Sequence, residues 1–145
     1  MASWRDGVPE SVQNDFETAA AILEEQGGEW LAKNGEVAPF GLVIEGDDPP
    51  TEYYPVTAEP GEGVAPDADE AIAILIEGCR EGRDRWRVAG IAYDVLVEEE
   101  QDALCMDLEH RDGYALRVLA AYSRTGGELS FADPESAYLE PRIWA

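Results

Sequence analysis

The hydrophobic pattern first indicates a helix near the start of the chain. After Pro9, apolar side chains recur every three or four positions over residues 12–23, a spacing typical of an amphipathic helix. Pro9 suits the first helical position and Glu10 suits the first turn. Gly27 and Gly28 are expected to end this helix or to interrupt it before a short amphipathic piece. The dipeptide Asn34-Gly35 is its expected last boundary.

A second helical pattern covers residues 68–79, where apolar positions again follow a period of three to four. Asp67 and Glu70 stand three residues apart at its start, and this spacing is that of a capping box. Gly82 is the expected end. The sequence therefore predicts two helices, with room for strands between them.

Strand patterns occur between the two helices and after the second one. Residues 38–45 and 52–58 are predicted to form a hairpin, and Pro55 places the second strand at a sheet edge because proline lacks the N–H that a central strand requires. Residues 86–122 form three apolar-rich segments separated by two turn signals. These segments predict a three-stranded meander.

The second turn of the meander determines a register. If residues 111–113 form a three-residue loop with Gly113 in the left-handed conformation, Asp107 faces Arg117 and Leu108 faces Leu116. A two-residue turn would instead place Leu108 opposite Arg117, which mixes apolar and charged side chains on one face. The first turn, around residues 98–101, is less constrained. The preferred register places Val95 opposite Met106 and Tyr93 opposite Leu108, and Asp94 then lies beside Asp107.

These elements predict an α+β fold. One antiparallel-rich sheet of about five strands carries two packed helices, in the order helix-strand-strand-helix-strand-strand-strand, within a single domain of residues 1–145. That order is similar to profilin-like and roadblock-type domains, and the resemblance implies a role in dimerisation or regulation. Four short fragments also stand in a fixed order: Pro39-Phe40-Gly41, Ala92-Tyr93-Asp94, Glu109-His110-Arg111-Asp112-Gly113 and Pro141-Arg142-Ile143. Through these fragments the chain resembles a set of small uncharacterised bacterial proteins, and the resemblance implies no activity or site.

The charge balance narrows the range of partners. There are 32 acidic residues and 10 basic ones, of which Lys33 is the only lysine, and the net charge is −22. Such a chain is not suited to a phosphate backbone or to an anionic membrane surface. No apolar run approaches the ~20 residues of a membrane span, and no signal core precedes the first helix, so a cytoplasmic location is expected. The acids suit either a salty environment or a basic partner surface, and their spread along the chain favours the first interpretation.

Candidate chemistry is confined to one predicted face of the meander. If both registers hold, Asp94, Asp107, Glu109 and Arg117 lie together there, and crowded carboxylates can hold a hard cation such as Mg²⁺. The favoured alternative is a solvated face on which Arg117 neutralises its neighbours. His110 is interpreted as a structural turn residue. No motif for a cofactor or a catalytic nucleophile is present in the sequence.

The leading functional hypothesis is a non-catalytic cytoplasmic domain that interacts with a protein partner or with a second copy of itself, without cofactor, nucleic acid or membrane. One alternative is an acidic inhibitor or immunity protein that covers a basic surface. The other is an enzyme or metal-binding protein that uses Asp94, Asp107 and Glu109.

Overall fold

The protein is described by a computed structural model over residues 4–35, 37–46, 51–53, 68–97, 101–126 and 128–144. Its elements in chain order are α1 Glu10–Asn34, β1 Phe40–Glu45, β2 Thr51–Tyr53, α2 Ala68–Glu81, β3 Trp86–Val97, β4 Gln101–His110, β5 Ala115–Thr125, β6 Glu128–Phe131 and β7 Glu135–Ala137. The α+β class and the order helix-strand-strand-helix-strand-strand-strand are confirmed. The short strands β6 and β7 follow the predicted elements.

The described strands form one sheet in the order β2-β1-β3-β4-β5-β6, and neighbouring strands are antiparallel. Strand β7 also pairs with β5, at residues 117–119, while β6 pairs with residues 122–125. Strand β2 stands at the end of the strand order, where the sequence predicts an edge. Pro55, on which that prediction rests, lies outside the described residues, as does Asp67 of the predicted capping box.

The two faces of the sheet are covered by different elements. Helix α1 packs on one face, where a large buried cluster includes Phe16, Leu23, Leu104 and Leu108. On the other face a smaller cluster joins α2 to β1, β3 and the end of the chain. Its buried members are Val43, Leu75, Cys79, Trp86, Ala89, Ile91 and Ile143. Strand β3 therefore has apolar neighbours on both sides.

Helix α1 runs without a break from Glu10 to Asn34, so the expected interruption at Gly27 and Gly28 is wrong. A Cβ atom on Gly27 would stand 2.8 Å from Cδ2 of buried Leu104, which shows that the helix passes very close to the sheet at this point. The contact with the sheet outweighs the weak helix propensity of glycine. The predicted end is confirmed, because Gly35 adopts a left-handed φ of 82° and donates its N–H to the carbonyl of Leu31.

The two glycines of α1 are expected to respond to alanine in opposite ways. Gly28→Ala should raise the free energy of unfolding by about 0.5–1 kcal/mol, because its Cβ would stand at an ordinary 3.4 Å from Phe131. Gly27→Ala should lower it by about 1 kcal/mol, because overpacking against Leu104 exceeds the same gain in helix propensity. Urea unfolding of the two variants tests this. Stabilisation by Gly27→Ala would contradict the close packing of α1.

The register of the second hairpin is as predicted. Asp107 pairs with Arg117 and Leu108 with Leu116. The loop closes through a hydrogen bond of 2.8 Å from the N–H of His110 to the carbonyl of Tyr114, and Gly113 has a φ of 97°. Only glycine adopts that conformation at low cost, so the turn selects the register.

The register of the first hairpin differs from the prediction. Ala92, not Val95, lies opposite Met106, so the strand is displaced by three residues. An odd displacement exchanges the two faces of a strand. Asp94 therefore points to the α1 face, opposite Leu104, and Tyr93 lies on the face of Asp107. The prediction failed because β3 is buried on both sides, and its apolar residues do not alternate with polar ones.

Candidate functional site

Asp107 is the centre of a buried ionic cluster on the α2 face of the sheet. Its side chain is 2% exposed, and Arg117 on the neighbouring strand donates from Nε to Oδ1 at 2.7 Å and from Nη2 to Oδ2 at 3.0 Å. Arg142, near the end of the chain, donates from Nη2 to Oδ2 at 2.8 Å. The hydroxyl of Tyr93 donates to the same oxygen at 2.7 Å. With Glu109, these residues form what we call the Asp107 cluster.

Glu109 holds the end of the chain against the sheet. Its Oε1 accepts the backbone N–H groups of three consecutive residues, Arg142 at 3.0 Å, Ile143 at 2.9 Å and Trp144 at 3.3 Å. One carboxylate oxygen that accepts three backbone donors makes charge-assisted hydrogen bonds, which are stronger than neutral ones. We call residues 142–144 the C-terminal clasp. The clasp covers the charged face of the meander, for which the sequence favours exposure to solvent.

The end of α2 secures the clasp from its other side. Arg80 donates from Nη1 to the carbonyl of Arg142 at 2.9 Å, and Arg83 donates from Nη1 to the carbonyl of Ile143 at 3.1 Å. The indole Nε1 of Trp144 donates to the carbonyl of Arg83 at 3.2 Å. The clasp is therefore bound through its amides by β4 and through its carbonyls by the end of α2 and the turn that follows it.

The surroundings of Asp107 determine the ionisation of the cluster. Burial on its own raises the pKa of this carboxyl, but hydrogen bonds from Arg117 and Tyr93, with the charges of Arg117 and Arg142, outweigh burial and hold the pKa below its usual value. Burial and the hydrogen bonds to Cys105 and Asp107 raise the pKa of Tyr93. Asp107 is thus an anion at neutral pH, with Tyr93 a neutral donor beside it.

The two cysteines, Cys79 and Cys105, are buried free thiols. Burial, and next the charge of Asp107, raise the pKa of Cys105 to about 12. Burial, and next the charge of Glu109, raise the pKa of Cys79 to about 12 as well. Because the thiolate is the reactive form, both groups are poor nucleophiles at neutral pH.

The predicted four-residue charged face is only partly assembled. Asp107, Glu109 and Arg117 lie together, but Asp94 lies on the opposite face of the sheet, where its Oδ1 accepts the hydroxyl of Tyr122 at 2.6 Å. Both oxygens of Asp107 are occupied by guanidinium donors. Within the described ranges no group of three or more His, Cys, Asp or Glu side chains is placed to hold a metal ion.

Sequence reasoning missed two members of the cluster, Tyr93 and Arg142. Tyr93 would have been found with the correct register of the first hairpin, since it is the diagonal neighbour of Asp107 on the same face. Arg142 lies 35 residues beyond Asp107. No local spacing links them, although the apolar Ile143 and Trp144 indicate that the chain end packs against the body.

His110 is buried at 3% exposure, and both ring nitrogens have partners, in agreement with its interpretation as a structural residue. Nδ1 accepts the backbone N–H of Asp112 at 3.1 Å, which assigns the ring proton of the neutral form to Nε2. Nε2 lies 3.0 Å from Oδ2 of Asp15 in α1. Arg87 also binds Asp15, at 2.9 and 3.2 Å, so this carboxylate ties the helix to two strands.

A depression opens on the α1 face near the β3–β4 turn, at the far end of the sheet from His110. It has a volume of about 390 Å³ and is lined by Gly35, Asp94, Asp102, Tyr122 and Ser123. Its acids are more accessible than those of the Asp107 cluster, because Asp94 is half-buried and Asp102 is exposed. It is thus the more open of the two acidic sites.

Comparison with protein-family models, curated proteins and solved structures finds no match for this chain. None of the described helices is long and apolar enough to cross a membrane. A function must therefore be inferred from the residues themselves.

Proposed function

We propose that this protein is a non-catalytic domain that binds a partner protein through the partner's basic surface. The observation that carries the proposal is that five arginines bind carboxylates or backbone carbonyls of the protein itself. Arg117 and Arg142 neutralise Asp107, and Arg87 neutralises Asp15. Arg80 and Arg83 donate to carbonyls of the C-terminal clasp. These five positive charges are thus committed to holding the fold together.

Most acids among the described residues, in contrast, are exposed to solvent. Both helices carry exposed carboxylates, and so does the edge formed by β6 and β7. The exposed acids of these regions are Asp6, Glu10, Glu17, Glu25, Glu29, Asp69, Glu70, Glu77, Glu81, Asp84, Glu128, Asp133, Glu135 and Glu140. Such a surface attracts a positively charged protein and speeds its association. With a net charge of −22 per chain, two copies repel each other, which favours a different protein over a homodimer.

We expect a stoichiometric complex with a positively charged protein, recovered after crosslinking in the native host and rebuilt from the two purified proteins. Its Kd should rise at least about tenfold as salt is increased towards about 1 M, where screening is nearly complete. Two matched variants separate a defined interface from general attraction, Glu25→Gln/Glu29→Gln on α1 and Glu77→Gln/Glu81→Gln on α2. A defined interface is weakened more by one pair than by the other. Equal, small effects of both pairs would contradict the proposal.

A second candidate role for the acidity is adaptation to high salt, and the presence of exposed acids on both helices and the sheet edge favours it. Screening is nearly complete at about 1 M salt, where the Debye length is about 3 Å. A melting temperature that continues to climb in KCl beyond that concentration supports this role. If the melting temperature instead stops rising below about 1 M KCl, partner binding is the better explanation of the negative charge.

A further inference from the structure

We propose that the groove filled by the C-terminal clasp is a docking site for a short segment of the partner protein, which displaces the clasp when it binds. The groove is formed by Asp107 and Glu109 on β4 and by Arg80 and Arg83 at the end of α2 and in the turn after it. We call it the clasp groove. The inference rests on the proposed function and specifies the segment of the partner that is bound: a cationic residue, then an aliphatic one, then an aromatic one.

The clasp groove binds the backbone of its occupant from two sides. Oε1 of Glu109 accepts the N–H groups of three consecutive residues, 142–144. Arg80 and Arg83 donate to the carbonyls of residues 142 and 143. Main-chain hydrogen bonds contribute affinity without selecting a sequence, and contacts with side chains add the specificity. A segment of another chain can therefore be held by the same groups.

The side chains of the clasp show which residues the groove accepts. Nη2 of Arg142 donates to Oδ2 of Asp107 at 2.8 Å, so the first position selects a cation. Ile143 is 1% exposed within the apolar cluster on the α2 face, so the second position selects an aliphatic side chain. The indole Nε1 of Trp144 donates to the carbonyl of Arg83 at 3.2 Å, which suits an aromatic residue with an N–H. A positively charged partner supplies the cation.

The clasp can leave the groove without unfolding the sheet. Leu139 is buried and anchors the chain before the clasp, whereas Glu140 is exposed. Residues 138–141 belong to no helix or strand, and Pro141 has no N–H to donate. Only residues 140–144 need to move when the clasp opens. Segments with few contacts open locally at a lower free energy than the whole protein unfolds.

The clasp is not an ideal occupant of its groove. Nε of Arg142 is buried and has no hydrogen-bond partner among the described residues, which destabilises the bound clasp. A lysine at this position lacks that donor, so a foreign segment can bind more favourably than the clasp. The clasp of a second copy of this chain would carry the same penalty together with a net charge of −22. A different protein is therefore the favoured source of the segment.

The test titrates the whole isotope-labelled protein with N-acetyl-Glu-Pro-Arg-Ile-Trp-amide, which has the sequence of residues 140–144 and no net charge. In the wild type the clasp competes with this peptide at an effective concentration of about 1 mM. Ile143→Asp should release the clasp, because a carboxylate is too costly to bury in the apolar cluster. The peptide should then bind at least about tenfold more tightly than to the wild type. Tyr138→Asp makes a matched change of charge at an exposed position and should bind the peptide as the wild type does.

Two further measurements apply even if Ile143→Asp does not fold. Trp144→Ala keeps Ile143 and removes only the indole, and it should give a smaller gain in peptide affinity. In the wild type, excess peptide should speed amide hydrogen exchange at residues 142–144 while the centre of β4 stays protected. A peptide with citrulline in place of arginine should bind about tenfold more weakly, the value of one charge-assisted hydrogen bond.

The proposal is overturned if the peptide binds the wild type without exposing the clasp to exchange, or if folded Ile143→Asp binds it no more tightly than Tyr138→Asp. Equal binding of a peptide with serine in place of isoleucine would also overturn it. The purified partner separates this inference from the function on which it rests. If the partner binds Ile143→Asp and Tyr138→Asp equally, the groove is wrong and the function stands. If no basic protein binds the wild type or Ile143→Asp but the peptide does, the groove stands and the proposed function is wrong.

Discussion

Asp107→Ala is expected to lower the free energy of unfolding by about 3 kcal/mol, because it leaves two guanidinium groups beside a buried space that no longer contains an anion. Breaking a buried ion pair costs about 3–5 kcal/mol. The lower end applies here, since the side chains of Arg117 and Arg142 each retain 34% exposure to water. Urea unfolding at neutral pH and constant ionic strength measures the loss.

The matched control for this change is Asp102→Asn on the same strand, where the side chain is exposed. Surface changes of this kind alter stability by less than about 0.5 kcal/mol. Asp107→Asn keeps the shape of the side chain but removes its charge, so its effect should lie between those of the other two variants. If Asp107→Ala unfolds at the same urea concentration as Asp102→Asn, the cluster contributes nothing to the fold.

The pH dependence of the Asp107→Asn variant has a definite sign. Because the pKa of Asp107 is lowered in the folded protein, its stabilising contribution is fully present above the unfolded pKa of about 3.9 and is lost as pH falls through the lower folded value. The stability difference between wild type and Asp107→Asn should therefore be constant from neutral pH to about 4.5 and should narrow below about 4. A difference that widens in acid would show that the carboxyl is protonated in the fold.

Glu109→Ala is expected to release the C-terminal clasp while the rest of the protein stays folded. The change removes the single oxygen that accepts the N–H groups of Arg142, Ile143 and Trp144. Unpaired buried donors cost about 1–3 kcal/mol each, so the clasp gains more by returning these amides to water than it loses by exposing Ile143. The net loss of stability should be about 2–3 kcal/mol.

Amide hydrogen exchange measures this release directly. Protection at residues 142–144 should disappear in Glu109→Ala, whereas amides in the centre of β4 should remain protected. Glu109→Gln retains an oxygen that can accept and should lose only part of the protection. Glu140→Ala, an exposed acid just before the clasp, is the control and should leave exchange unchanged. Persistent protection of the clasp in Glu109→Ala would show that α2 holds it without Glu109.

From the sequence, the members of a candidate site can be predicted only where turn type and strand alternation determine which side chains are neighbours. The pairing of Asp107 with Arg117 follows from one glycine turn and from alternation along two strands, both visible in the sequence. The burial of that pair does not, because Arg142 arrives from a segment 35 residues away and the clasp covers the face only in the folded chain. Asp94 was assigned to the wrong site by one incorrect register. The same acid lines the depression on the α1 face.

The sequence by itself determined the order of helices and strands, the α+β class, the register of β4 with β5 and the large negative charge. Each follows from periodicity, turn chemistry or composition, which act over a few residues or over the whole chain at once. Only the tertiary structure decided that α1 continues through Gly27, that β3 is covered on both faces and that residues 142–144 close over Asp107 and Glu109. These outcomes depend on contacts between distant segments, where packing outweighs local propensity.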